Sequence, residues 1–181
     1  MQGADEGSFF AHFERKFMII RHANMEDLED VVRIEQANFS PAEAATPEAM
    51  AERLKVISDT FLIAEINGKV AGYIEGPVVT HRYLTDELFH HVVPNVAEGG
   101  FIAVTSLSVS ENFKGQGIGT SLLAALKDLA VSQNRLGINL TCHDYLIGYY
   151  EMNGFVDEGE SLSTHGGTKW YNMVWENPLK K

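Results

Sequence analysis

The chain has a single cysteine among 181 residues, Cys142, so neither an internal disulfide nor a cysteine cluster for zinc can form. Such cysteine usage belongs to a reducing compartment, and the cytoplasm is the expected location. Long apolar runs are missing as well. None approaches the ~20 residues that span a bilayer, and the N-terminus lacks the basic-then-apolar order of a signal peptide. Basic residues are scarce, with 14 Lys and Arg against 25 Asp and Glu and a net charge of −11. That balance argues against nucleic acid or an anionic membrane as a partner and favours cationic small molecules. His, Asp and Glu are too scattered to suggest a metal site. Internal repeats, low-complexity tracts and linkers are absent too.

What remains is ordinary globular composition, 45% hydrophobic and 22% charged, at the size of one domain. Residues 1–17 mix glycines and acids with Phe9, Phe10 and Phe13. They read as a leader ahead of a true start at Met18, or as a short arm packing its phenylalanines on the body or on a second copy. Residues 18–181 form the single domain.

Phe17 to Arg21 is short and apolar and reads as a buried strand, followed by a helix capped by Asn24 and ending near Phe39. Thr46-Pro47-Glu48 opens a second helix that should stop near Ser58. Phe61–Ile66 and Val70–Ile74 flank Asn67-Gly68, a strong hairpin signal. Pro77 to Gly100 is a long polar stretch with His81, His90 and His91, of a length that often carries binding residues. Phe101–Val109 reads as one strand and Gly117–Gln133 as the clearest helix. A strand Leu136–Thr141, a helix Asp144–Met152, an extended piece from Phe155 and a last strand Thr168–Trp175 complete the order β-α-α-β-β-β-α-β-α-β-β. This is one mixed α/β (α+β) sheet of seven strands with about four helices.

The chemistry concentrates where the strand ending Leu107-Ser108-Val109 leads through Lys114-Gly115-Gln116-Gly117-Ile118-Gly119-Thr120 into the helix. Glycines at a helix start let a ligand approach the backbone, and the unpaired N–H groups of the first turn favour a phosphate. The spacing G-x-G-x-G is neither the dinucleotide fingerprint nor a P-loop. On their own, these glycines could equally make a tight turn.

Lys114 to Gly119 resembles the R/Q-x-x-G-x-G/A motif of the GNAT acetyltransferases, with lysine in the leading position, and the resemblance extends from Met18 to Glu176 in element order. It implies a mostly antiparallel mixed sheet and acetyl-CoA as co-substrate, with no metal. The pyrophosphate would be held by the backbone from Gly115 to Thr120, and the pantetheine chain by the backbone of Leu107 and Val109. The ending Tyr150-Glu151-Met152-Asn153-Gly154-Phe155 is also typical of the superfamily. Together with Ile34-Glu35-Gln36-Ala37-Asn38-Phe39 and the histidine-bearing loop, it is similar to the arylalkylamine (serotonin) N-acetyltransferase branch. By that resemblance Tyr150 matches the tyrosine that acts as general acid, and Leu107 N–H would stabilise the oxyanion. The bland reading of Tyr150 is a helical tyrosine packed on the sheet.

The serotonin enzymes carry two histidines on the strand before L-x-V, and here those positions are Ala103 and Thr105. An amine with a lysine-like pKa of about 10.4 costs roughly 4.6 kcal/mol to present neutral at pH 7, so another proton path is required. Ordered water, Glu35, His90 and His91 are the alternatives, and Phe39 and Thr105 join them as substrate-side residues. Cys142 reads as a buried thiol at a strand end. His143-Asp144 reads as a polar pair at a helix start. Trp170, Tyr171 and Trp175 read as packing against the sheet or a subunit contact. The expected function is acetylation of a primary amine, on a small molecule of arylalkylamine or polyamine type. A peptide or protein amine and a non-catalytic acyl-CoA sensor remain open, as does a homodimer.

Overall fold

A computed structural model describes residues 17–180. The leader read over 1–17 therefore lies, except for Phe17, outside the described residues. Nine strands form two sheets, in the orders β1-β2-β3-β6 and β4-β5-β7-β9-β8. The strands are β1 (Met18–His22), β2 (Phe61–Ile66), β3 (Lys69–Glu75), β4 (Val78–Val79), β5 (Phe101–Val104), β6 (Ser106–Val109), β7 (Gly137–Cys142), β8 (Val156–Glu160) and β9 (Tyr171–Glu176). All pairs are antiparallel except β5 with β7. The helices are α1 (Leu28–Asn38), α2 (Pro47–Val56), α3 (Ile118–Ser132) and α4 (Ile147–Met152). Removing two-residue β4 and joining β5 to β6 recovers the order read from sequence.

Local chemistry sets the element boundaries. Asn24 and Asp27 form a reciprocal capping box before α1. The Thr46 hydroxyl accepts from Ala49 N at 3.1 Å, and Pro47 opens α2. Asn67 and Gly68, both at positive φ (49° and 79°), close the β2–β3 hairpin. Strand alternation then divides the core. Leu62, Ala64 and Ile74 face Leu122, Leu123 and Leu126 of α3, whereas Phe61, Ile63 and Tyr73 face Val31 and Ile34 of α1 and Met50 and Leu54 of α2.

Three readings need correction. β1 is an edge strand with Met18 and Ile19 exposed, because an apolar run of five residues does not reveal whether a sheet has a neighbour on both sides. The last strand starts at Tyr171 rather than Thr168; Trp170, just ahead of it, still accepts from Ser161 N at 2.8 Å while its indole N–H turns to the His165 carbonyl at 2.7 Å. Phe101–Val109 is two strands, interrupted at Thr105.

That interruption originates on the partner strand. β3 pairs with β6 and β4 pairs with β5, but the register slips by one residue across Gly76-Pro77. Pro77 has no N–H to give to the ladder, and its carbonyl instead accepts from Ala103 N at 2.8 Å. From there β5 runs parallel to β7 only as far as Val104 and Leu140, and β6 departs with β3. The two parallel strands splay apart.

Gly76 is where this fork is most tightly packed, since a Cβ there would lie 1.8 Å from the Ala103 carbonyl oxygen and 2.8 Å from Val104 Cα. Gly76→Ala should therefore lower unfolding free energy by roughly 3 kcal/mol or more. Gly68→Ala meets no atom within 4 Å and should cost only about 1–2 kcal/mol, for its positive φ. Urea titrations of the two variants compare steric conflict with backbone strain directly.

Candidate functional site

The splay leaves one edge of β6 unpaired. Ser110 N donates to Ala71 O at 2.8 Å, so the two-residue period turns the N–H groups of Ser108 and Ser106 toward β3. The N–H groups of Leu107 and Val109 consequently face the gap. The carbonyl of Val109 on that side accepts from Asn38 Nδ2 at 2.7 Å, and the Ser108 hydroxyl accepts from the same amide at 2.6 Å. The C-terminal end of α1 is thereby fastened to β6.

After β6 the chain makes a short 3-10 turn at Glu111–Phe113 and enters α3 through the glycines. Gly115 and Gly117 both have φ of 76°, and a Cβ at either would meet no atom within 4 Å, so the backbone here is bare and accessible. The first intrahelical bond opening α3 is Ser121 N to Gly117 O at 3.0 Å. The amides of Ile118, Gly119 and Thr120 precede it and have no intrahelical acceptor, which makes an anion-binding terminus. Gly119 has a different role, as a Cβ there would approach the Tyr149 hydroxyl to 2.6 Å. Lys114, exposed at the entrance, pairs with Glu111 at 2.8 Å. Gln116 lies on the same exposed turn.

Between the splayed strands is a cavity of about 240 Å³, walled by Thr105, Ser106 and Leu107 on one side and by Thr141, Cys142 and His143 on the other. Tyr150 lines it from α4, only 8% exposed, with its ring edge-on to Tyr149 and Phe155. Burial, then the neighbouring Cys142 and Tyr149, push its phenol well above the ordinary tyrosine range, so it is protonated at neutral pH. Its hydroxyl makes no hydrogen bond among the described residues. The Cys142 thiol is buried at the end of β7 and pushed up to about 12, chiefly by desolvation and further by Asp157 and Asp144.

Glu35 projects from α1 to the floor of the cavity and is 3% exposed. Its Oε2 accepts from the Tyr73 hydroxyl and from the Ser106 hydroxyl at 2.6 Å, and Oε1 accepts from Ala45 N at 3.0 Å. Burial and the Glu35 carboxylate push the Tyr73 phenol well up, keeping it a donor. Glu35 thus joins α1, β3, β6 and the loop after α1. Thr105, at the break, gives its hydroxyl to both oxygens of Glu75 at 2.9 Å. Arg53 Nη1 meets Glu75 at 2.7 Å, and Arg53 Nη2 donates to Phe89 O at 3.0 Å.

The upper wall is aromatic. Phe39 and Phe89 line it with His143, Tyr145, His165 and Trp170. Phe89 stacks on His165 at 3.9 Å between centroids, and His143 stacks on Trp170 at 4.4 Å. Glu43 lies 3.4 Å from His143 Nε2.

Of the residues singled out from sequence, Glu35, Phe39, Thr105, Leu107 and Tyr150 meet at this cavity. His90 lies instead at a second, adjoining cavity, and His91 is 87% exposed beside Glu52. His143 and Asp144 do stand at the start of the turn leading into α4, but the His143 side chain makes no capping bond and lines the cavity. Trp170 likewise belongs to the cavity rather than to the last strand. Glu43, Arg53, Glu75 and His165 were not anticipated. Only the topology brings them together, and no spacing in the chain signals it. Among the described residues, no cluster of His, Cys, Asp and Glu suits a metal, and no helix is long and apolar enough to cross a membrane.

No curated protein matches the chain. Solved structures share the fold. Ard1 from Thermoplasma volcanium is 22% identical with a TM-score of 0.67, covering 88% of this chain and 97% of that one. The loading GNATL domain of CurA from Lyngbya majuscula is 14% identical with a TM-score of 0.69, over 90% and 99%. Arabidopsis thaliana Naa50, in complex with the bisubstrate analogue CoA-Ac-MVNAL, is 16% identical with a TM-score of 0.65, over 88% and 98%. The model of the acetyltransferase (GNAT) family matches residues 28–155. Because that match runs from the first residue of α1 past the glycine turn and Tyr150 to Phe155, the chain belongs to the acetyltransferase (GNAT) family.

Proposed function

We propose that the protein transfers the acetyl group of acetyl-CoA directly to a primary amine of a small molecule, one carried on an arylalkyl or polyamine-like arm, in the cytoplasm. The observation that carries this reading is the cavity at the splay, where an unpaired strand edge, a buried protonated tyrosine and an aromatic wall with two carboxylates converge.

The bare backbone at Gly115 and Gly117 and the free amides opening α3 suit a pyrophosphate. The open edge of β6 suits the amide-rich pantetheine arm, which would add to the sheet like a strand. Acetyl-CoA supplies an activated thioester. Leu107 N–H is placed to donate to the oxygen that becomes negative as the amine attacks. Tyr150, held protonated by burial, is placed to return a proton to the departing thiolate. Glu35 positions the site rather than taking a proton, since its oxygens already accept three hydrogen bonds.

The aromatic wall with Glu43 and Glu35 supports a cationic substrate with an apolar arm, in keeping with the arylalkylamine resemblance. A peptide amine is the second reading, favoured by the fold shared with Naa50, whose ligand is CoA-Ac-MVNAL.

With acetyl-CoA and a panel of aryl-ethylamines, polyamines, amino acids and lysine peptides, release of CoA thiol should exceed background on a small amine and be weaker on peptides. Acetyl-CoA binding without turnover on any amine would favour a sensor. Tyr150→Phe should lower kcat by about 10²-fold or more while acetyl-CoA affinity, read by calorimetry, changes by less than about threefold. An unchanged kcat removes the acid role. Gly117→Ala should weaken acetyl-CoA binding about tenfold or more, by placing a methyl group where the pyrophosphate approaches; unaltered affinity would place that group elsewhere.

A further inference from the structure

We propose that His143 takes the proton from the substrate ammonium, with Glu43 as the carboxylate that orients its ring. This inference rests on the amine-acetylation reading above. Neither Ala103 nor Thr105 can accept that proton, Glu35 is already occupied, and His91 points to solvent. His143 lines the same cavity as Leu107 and Tyr150.

Its ring stacks with Trp170 at 4.4 Å and 26° and with Tyr145 at 5.3 Å and 11°, contacts that hold its plane. Nε2 lies 3.4 Å from Glu43 Oε1, an electrostatic contact rather than a hydrogen bond, and a carboxylate on that side favours carrying the hydrogen on Nε2 with the lone pair on Nδ1. Nδ1 has no hydrogen-bond partner among the described residues. Glu43 is itself held in place. Its carbonyl lies 3.0 Å from His165 Nε2, and Gly166 leaves room for its side chain, since a Cβ there would approach Glu43 Cγ to 2.6 Å.

The titratable groups that share the cavity are Glu35 from α1, Glu43 from the following loop, Cys142 and Tyr145 on either side of His143, Tyr150 from α4 and His165 from the turn before β9. Neither lysine nor arginine is among the lining residues. In the step itself, Nδ1 takes one N–H proton of the ammonium, and the freed nitrogen lone pair forms the C–N bond at the thioester carbonyl. The C–S bond breaks, the thiolate takes a proton from Tyr150, the second N–H proton of the attacking nitrogen passes to the Tyr150 oxygen and restores its phenol, and the imidazolium discharges the first proton to solvent.

The test uses the fastest amine of the panel. His143→Gln should lower kcat by about 10²–10⁴-fold and abolish the acid limb of the kcat/KM profile, with acetyl-CoA affinity kept within about threefold. In His143→Ala, added imidazole should restore at least tenfold in rate by entering the space the ring vacates beside Trp170, which a purely structural role would not allow. Glu43→Gln should reduce kcat at least tenfold, and it carries the test should neither His143 variant bind acetyl-CoA. Full kcat with the acid limb intact in His143→Gln, or an unchanged kcat in Glu43→Gln, overturns the assignment while amine acetylation stands. Wild-type protein that turns over no amine overturns both.

Discussion

A carboxylate sealed from solvent stands at the point where the sheet divides. Glu75 ends β3, and burial pushes its pKa up, against the opposing pull of Arg53 and of the Thr105 hydroxyl. Burying an ion pair costs several kcal/mol per ion unless contacts are close and the remaining lone pairs are satisfied. Here Arg53 sits at 2.7 Å and Thr105 bonds both oxygens. The arrangement is stable only with Thr105 turned inward, and Thr105 is the residue at which β5 ends and β6 begins. The ion pair thus holds Thr105 in the break that Gly76-Pro77 opens between β5, which follows β7, and β6, which follows β3.

The rest of the site depends on that divergence. Where β6 diverges from the course of β7, its outer edge has no strand partner among the described residues, and the gap becomes a cavity. Two ties hold α1 against the β6 side of the gap. Asn38 anchors the end of α1 to β6, and Glu35 links α1 to Tyr73, Ser106 and Ala45. The loop that Glu35 anchors through Ala45 also carries Glu43 to the cavity, so one buried carboxylate positions another.

Local chemistry was legible in the sequence. Asn24, Thr46-Pro47 and Asn67-Gly68 each act within a few residues, and each sets the boundary it suggested. The glycines opening α3 and the order of elements were legible for the same reason. The strand break at Thr105 was not, because Phe101 to Val109 contains no breaker; the cause is Gly76-Pro77, 28 residues upstream of Thr105 on the partner strand. Likewise His143 resembles a polar residue at a helix start until Trp170 arrives from the segment before β9 to stack on it. Glu43 and His165 lie in turns that carry no periodicity, and only tertiary packing brings them within reach of the cavity.

The burial of Cys142 bears on the fate of an acyl thioester seated along β6. A free thiolate in that wall would exchange with it, capturing the acyl group on the protein's own sulfur before any amine arrived. Thiolate, not thiol, is the attacking form. With the thiol pushed up to about 12, only about one molecule in 10⁵ carries thiolate at pH 7. The apolar packing at the end of β7 therefore works as kinetic insulation, keeping thiol–thioester exchange out of competition with transfer to nitrogen.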